Sequence, residues 1–306
     1  MCGFVGIAGA GASRFRAEVI RGADSLYHRG PDSGGDWQAP DGGVVLAHRR
    51  LAIIDLSPGG DQPMTKCGGR FTVAFNGEIY NFRELRSELV ERGHPFSSAS
   101  DTEVLLSAWM EWGAAALDRL VGQFAFALYD GQERRLTLAR DRVGEKPLFY
   151  RWDGRALRFS SELKGLLADP SLPRRINPDA LDCYLAMGYV PGENCILDGF
   201  AKLPAGHTLQ FRLDDGNVHV HRWWATPEWS DPGCSDGELL DELEARLETA
   251  VARQMVADVP VGVLLSGGID SSLVTAMAAR TSGRVTTFTV GFPGAGGGMT
   301  NQPTRD

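Results

Sequence analysis

The sequence predicts an α+β sandwich of antiparallel sheets with helices over residues 2–167. An incomplete α/β unit on a parallel sheet follows over residues 236–292. Three observations carry this reading. Short apolar strands with turn residues between them fill the first half, and two helices there open with capping-box spacing. Near the end, the order strand, glycine turn, helix, strand marks one βαβ crossover. At 306 residues the chain has room for two domains.

Taken in order, the first helix spans Glu18–Tyr27. Phe71–Phe75 and Phe124–Tyr129 alternate larger and smaller apolar residues, as half-buried strands do. Arg134–Arg140 follows the second across the turn residues Asp130-Gly131, a hairpin signal. Phe82–Arg92 opens at Asn81 with Glu84 three residues on, and Thr102–Trp112 opens at Ser100 with Glu103 three residues on. Residues 168–225 read as an extension of the first domain, with a short helix after Asn177-Pro178 and strands at Thr208–Leu213 and Val218–Trp224. The Pro/Gly/Asp-rich stretch 226–235 reads as a linker. Ser235 with Glu238 then caps a helix whose Leu239, Leu240, Leu243, Leu247 and Val251 form an apolar stripe. The βαβ unit comprises Val259–Leu265, the turn Ser266–Gly268, the helix Asp270–Arg280 and the strand Arg284–Phe292. Residues 293–306 lack periodicity and are expected to be disordered.

Composition excludes several classes of function. Lys plus Arg number 31 against 39 for Asp plus Glu, a net charge of −8, which argues against a general binder of nucleic acid. No apolar run reaches the roughly 18 residues of a membrane span. Glycine is in excess, 38 of 306 residues, so tight turns and close backbone approaches are expected. Five scattered cysteines with no CxxC pair indicate neither a zinc site nor a disulfide framework. Cys67, Cys183, Cys195 and Cys234 read as packed or incidental thiols. A reducing cytoplasm is the simplest setting, and the start lacks the features of a secretory signal, so the N-terminus is expected to stay in the mature protein.

Cys2 is the most informative residue. Removal of Met1 would leave it as the amino-terminal residue, with nucleophile and base together. An α-amino group titrates near 7.7–8.0 and a free thiol near 8.5, so a neutral amine can take the thiol proton without help from histidine. Met-Cys alone fits equally a small buried cysteine in a first strand. The context is a set of polar segments expected at turns: YHRGPD at 27–32, HRRLAIIDL at 48–56, FNGEIYN at 75–81, SDTE at 100–103 and RDRVGEKPLFY at 140–150.

Met-Cys-Gly followed by these segments in this order resembles the class II glutamine amidotransferases, whose fold is the N-terminal nucleophile hydrolase sandwich. The resemblance implies L-glutamine as substrate. Arg50 can pair in bidentate fashion with its α-carboxylate, and Glu78 and Asp101 can accept from its α-ammonium. Asn76 and the Gly77 N–H can stabilise the tetrahedral oxyanion. Leu51, Ile53 and Ile54 fall in the matched segment and join the glutamine site by the same resemblance. Taken singly, Arg50 also suits a surface ion pair, Asn76-Gly77 a type I′ turn, and Asp101 a helix cap.

The second motif is SGGIDSS at 266–272, between an apolar strand and a helix, where an anion cradle belongs. Gly267 and Gly268 let backbone N–H groups approach phosphate, and Ser266, Ser271 and Ser272 add hydroxyls. The GK[ST] ending of a Walker A loop is absent. SGG-x-DS instead resembles the pyrophosphate loop of ATP pyrophosphatases, which implies ATP as a substrate, Mg²⁺ held with the help of Asp270, and nucleotide contacts at Leu265 and Val290. A glycine-rich turn before a helix cap is the plainer alternative.

Together the two motifs resemble the glutamine-hydrolysing asparagine synthetases. In their scheme glutamine yields ammonia through a Cys2 thioester, ATP activates L-aspartate as an adenylate, and ammonia displaces AMP. Such synthetases continue for several hundred residues past the loop, so the chain is expected to be truncated and to retain glutaminase activity alone. The alternatives are a free-standing glutaminase that feeds a separate synthetase chain or a homo-oligomer, and a non-catalytic remnant that acts by binding.

Overall fold

The computed structural model describes residues 1–231 and 233–291 and divides the chain into two units, Met1–Ser230 and Asp231–Asp306. Phe292, the expected end of the last strand, and the expected disordered tail 293–306 lie outside the described residues.

The first unit begins with β1 (Gly3–Gly9), α1 (Arg16–Asp24), β2 (Ser33–Gln38), β3 (Val44–Arg50), β4 (Met64–Lys66) and β5 (Phe71–Ile79). It continues with α2 (Phe82–Glu91), α3 (Asp101–Trp112), α4 (Ala116–Arg119), β6 (Gly122–Asp130) and β7 (Arg135–Arg140). Then come β8 (Phe149–Trp152), β9 (Ala156–Ser160), α5 (Leu163–Leu166), α6 (Pro178–Met187), β10 (Ala201–Lys202), β11 (His207–Arg212) and β12 (Val218–Arg222). Two six-stranded antiparallel sheets result, in the orders β10-β8-β9-β1-β3-β2 and β12-β11-β7-β6-β5-β4.

The alternation of each strand places its larger apolar residues on chosen faces. Phe4, Leu46, Leu157 and Phe159 of one sheet meet Ala125, Ala127, Leu138, Leu209 and Phe211 of the other in a fully buried core. The outer faces are covered by helices. Val19 and Ala23 of α1 pack on Val5, Ile7, Val45 and Ala47, while Trp109 of α3 meets Phe126 edge-on at 5.7 Å. The layer order is helix, sheet, sheet, helix.

Several local expectations are corrected. Asn76-Gly77 is not a turn: both lie inside β5, opposite Ala125 and Phe124 of β6. The strand continues through the polar segment because β6 supplies a ladder partner at every position to Ile79. Likewise His48, Arg49 and Arg50 sit on β3 rather than in a turn. Asn81 does not cap α2; its side chain donates to Arg119 O at 3.0 Å and accepts from Val121 N at 2.9 Å, tying the helix start to the approach of β6. Ser100 caps α3 through Thr102 N at 3.1 Å, but Glu103 does not close a capping box. Its carboxylate instead takes the N–H groups of Ser97 and Ser98 and pairs with Lys66 at 3.0 Å. Asn177, in contrast, caps α6 through Asp179 N and Ala180 N.

The second unit contains α7 (Asp236–Gln254), β13 (Gly262–Leu264), α8 (Ile269–Ser282) and β14 (Thr286–Phe288). Ser235 and Glu238 close a full capping box on α7. β13 and β14 pair in parallel, as the crossover requires, but each is three residues long rather than the seven and nine expected. The stripe of α7 is only half used. Leu247 and Val251 pack with Met277 and Ala278 of α8, whereas Leu239, Leu240 and Leu243 are exposed, because α8 lies beside the C-terminal half of α7 alone. Among the described residues no helix is long and apolar enough to cross a membrane.

Candidate active site

The site is assembled where β1 begins and β3 and β5 end, near the start of α3. Cys2 immediately precedes β1, and its carbonyl accepts from Arg29 Nε at 2.8 Å. Arg29 is itself held by Glu162 at 2.8 Å, so the chain start is fixed from both sides. The Cys2 thiol donates to Leu51 O at 3.6 Å and lies 3.4 Å from Leu51 N. Burial pushes this thiol up in pKa, with the Leu51 N–H and the terminal amine pulling the other way. Burial also lowers the amine of Met1, with Arg29 and Lys146 acting in the same direction. Both shifts favour the neutral form, of the Cys2 thiol and of the Met1 amine beside it.

Arg50, the last residue of β3, is 5% exposed. Loop 54–61 encloses its guanidinium: Nη1 donates to Ser57 O at 2.8 Å and pairs with Asp61 at 3.1 Å, and Nη2 donates to the carbonyls of Ile54 and Asp55. A Cβ at Gly60 would overlap this guanidinium, so glycine there is a requirement of close approach. The plain surface ion pair is therefore corrected to a buried and largely backbone-held arginine.

Glu78 and Asp101 form the acidic wall. Asp101 Oδ2 accepts from Ile79 N at 2.9 Å, which ties the start of α3 to the end of β5. Burial raises both carboxyls, Glu78 to about 8 and Asp101 to about 6. The neighbouring Asp101 charge adds to the rise at Glu78, and the N–H groups of Ile79 and Thr102 limit it at Asp101. Lys146 and the terminal amine, both cations, pull Glu78 the other way.

One cleft, with about 270 Å³ of empty space partly open to solvent, is lined by Cys2, Arg50, Leu51, Ile53, Ile54, Gly77, Glu78 and Asp101. Of the expected glutamine-site residues only Asn76 is missing from this lining. It lies between Phe75 and Gly77 on β5, fully buried, and neither its Oδ1 nor its Nδ2 has a hydrogen-bond partner. Gln62, Phe75, Ser100 and Thr102 also line the cleft and were not anticipated. Gln62 accepts from Phe75 N at 2.6 Å and donates to Thr102 Oγ1 at 3.2 Å, joining β5 to α3 beneath the cleft. For Gln62 a polar residue before proline in GGDQPM was the only available signal, whereas Phe75, Ser100 and Thr102 lie in the segments FNGEIYN and SDTE.

His48 is not a base for this chemistry. Buried between the sheets, it donates through Nε2 to Phe75 O at 2.9 Å, and burial lowers it to about 4. The packed state of Cys195 and the exposure of Cys67 and Cys234 fit the reading of incidental thiols.

In the second unit the SGGIDSS loop leads into α8, with Gly267 at φ +84°. Leu265 N donates to Phe288 O at 2.8 Å, which anchors the loop to β14. The Ser271 hydroxyl lies 3.0 Å from that of Ser266, and Ser272 Oγ donates to Gly268 O at 2.8 Å. Gly268 at the N-cap gives α8 no side-chain cap. Asp270 and Val290 are exposed. Among the described residues no cluster of three or more His, Cys, Asp or Glu could hold a metal ion. Asp270 is therefore not part of any such described cluster.

Comparison with known proteins agrees with this geometry. The family described as glutamine amidotransferase domain matches residues 1–224, and the family described as asparagine synthase matches residues 242–303. An asparagine synthetase [glutamine-hydrolyzing] 3 of Bacillus subtilis is 40% identical over 85% of this chain and 42% of its own length. A putative asparagine synthetase [glutamine-hydrolyzing] 2 of Methanocaldococcus jannaschii is 34% identical over 96% of this chain and 60% of its own. The chain thus spans about half the length of the curated relatives it matches. The solved glutamine phosphoribosylpyrophosphate amidotransferase of B. subtilis shares the fold at 20% identity, with a TM-score of 0.54 over 94% of this chain and 65% of that one. The two-sheet sandwich is accordingly the N-terminal nucleophile type, and the chain belongs to the family of glutamine amidotransferase domains.

Proposed function

We propose that this chain hydrolyses L-glutamine at Cys2 and that the ammonia serves an ATP-dependent ligation, with L-aspartate as acceptor and asparagine as product. The observation that carries the first half is that Cys2, Arg50, Glu78 and Asp101 line one cleft. That set matches nucleophile, carboxylate partner and ammonium acceptors to one zwitterionic amide. The second half is supported by the SGGIDSS loop, the match of residues 242–303 and the names of the relatives.

In the proposed reaction, with Met1 removed, the Cys2 amine takes the thiol proton and Sγ attacks the carboxamide carbon. The Gly77 N–H and Asn76 Nδ2 stabilise the oxyanion. Collapse breaks the C–N bond, the amine returns its proton to the leaving nitrogen, and ammonia departs from a thioester. Water then attacks the thioester, giving glutamate and restoring the thiol. ATP phosphates would be held by the amides of 267–271 and the hydroxyls of Ser266, Ser271 and Ser272. A cytoplasmic setting suits these substrates, and a separate synthetase chain or a second copy of this one is the natural recipient of the ammonia.

The test is glutamate and ammonia release from L-glutamine, followed by ATP- and aspartate-dependent release of AMP and pyrophosphate. The first product pair without the second supports glutaminase activity alone. Absence of both sinks the proposal.

A further inference from the structure

A separate loop borders each charge-recognising end of the cleft, and Asp55 bonds to both. Loop 54–61 wraps the Arg50 guanidinium, while loop 97–100 leads into Asp101 at the start of α3. Asp55, 8% exposed, belongs to the first loop. Its carbonyl accepts from Arg50 Nη2. Its Oδ1 accepts from Ser57 N at 3.0 Å and Ser57 Oγ at 2.5 Å, and its Oδ2 accepts from Ala99 N at 2.7 Å.

Resting on the glutaminase reading above, we propose that Asp55 is a positioning residue that sets the spacing between the α-carboxylate and α-ammonium ends of the cleft. Asp55 would thereby make the site selective for an α-amino acid.

The backbone of Asp55 makes the double reach possible. Its φ is +58°, the left-handed region that side chains other than Gly, Asn and Asp seldom adopt. In that conformation the carbonyl turns to Arg50 on one side and the carboxylate to Ala99 on the other. Ala99 stands two residues before Asp101, so the bond fixes the approach of the loop that carries the ammonium acceptor. The hydrogen bonds to Ser57 and Ala99, with the Arg50 charge nearby, hold the Asp55 carboxyl below the usual carboxylate range, so it bonds as an anion. The far side of loop 97–100 is held separately by Glu103 and Lys66. The Asp55 bond therefore governs the side facing Arg50.

The experiment compares Asp55→Asn and Asp55→Gly in the full chain, each also combined with Asp101→Ala. Both replacements tolerate a left-handed backbone, and thermal unfolding confirms that each is folded; if one fails, the other is read alone. The expected result is a KM for glutamine raised about tenfold or more with kcat within about threefold. In the Asp101→Ala background the same substitution should change KM by less than about twofold, because the ammonium acceptor it places is already gone. An unchanged KM, a loss falling equally on kcat, or the same KM rise with Asp101 absent would overturn the proposal. A wild-type chain that hydrolyses no glutamine would instead overturn the function on which it rests.

Discussion

The Cys2 thiol is docked on the backbone of Leu51, donating to its carbonyl at 3.6 Å and lying 3.4 Å from its N–H. Leu51 directly follows Arg50, so one stretch of chain sets both the proposed nucleophile and its proposed carboxylate partner. The Leu51 N–H is also a donor ready for the thiolate. Position thus comes from the sandwich, and reactivity from the chain terminus.

Asn76→Ala should lower kcat for glutamine by roughly 10²–10³ with little change in KM, as removal of one oxyanion donor does. The buried amide has no partner of its own, so its loss should not destabilise the protein. Steady-state kinetics with a parallel melting curve decides this; an effect on KM alone counts against the oxyanion role.

Asp101→Ala removes an acceptor for the substrate ammonium. Truncating one partner of a desolvated charge pair costs about 2–5 kcal/mol, and the loss should appear mainly in KM. A pure kcat defect would contradict the assignment.

Glu78 is raised to about 8, above its unfolded value, so folding retains a proton there. Its contribution to stability is full below the unfolded pKa and is lost as pH rises through about 8. Glu78→Gln should therefore melt higher than wild type at pH 8, with the gap closing toward pH 4.5. Each kcal/mol relieved corresponds to roughly 2–4 °C. The same variant should bind glutamine more weakly. In the wild type, KM should fall as pH rises and the buried Glu78–Asp101 pair gives up its protons. A gap in melting temperature that is independent of pH would refute the burial of Glu78.

Asp141 accepts from the backbone N–H groups of Phe124, Val143, Gly144, Glu145 and Lys146. Asp141→Ala takes the carboxylate from these donors, and Gly144 N keeps the Asp141 carbonyl at 3.3 Å. It should cost upwards of about 3 kcal/mol in urea unfolding of the first unit, since each buried unsatisfied group costs about 1–3 kcal/mol. A loss under about 1 kcal/mol would show that water replaces the carboxylate.

The sandwich was legible because Phe71–Phe75 and Phe124–Tyr129 alternate larger and smaller apolar residues, and Ser100 and Asn177 announce the starts of α3 and α6. The site was legible because, Cys2 apart, its expected residues sit in three polar segments of unusual composition, 48–56, 75–81 and 100–103. Local patterns failed where tertiary partners override them. Asn76-Gly77 has the composition of a turn, yet β6 offers a ladder, and Asn81 has the look of a cap, yet Val121 takes its side chain. Asp55 and Gln62 act through loop conformation and bonds to residues 13 to 44 positions away, which no periodicity reveals. The strands of the second unit were overestimated because apolar runs report burial, and Leu264, Phe288 and Val290 are exposed here.

The central claim is that Cys2 attacks glutamine with its own amine as base. The direct measurement is the rate of glutamate release by two preparations of this chain. One has Cys2 at the terminus, verified by intact mass, and the other carries a retained N-terminal tag that leaves the thiol but converts the amine to an amide. The account predicts turnover by the first and none by the second, with Cys2→Ala inactive in either form. Equal turnover by the verified tagged protein would contradict it.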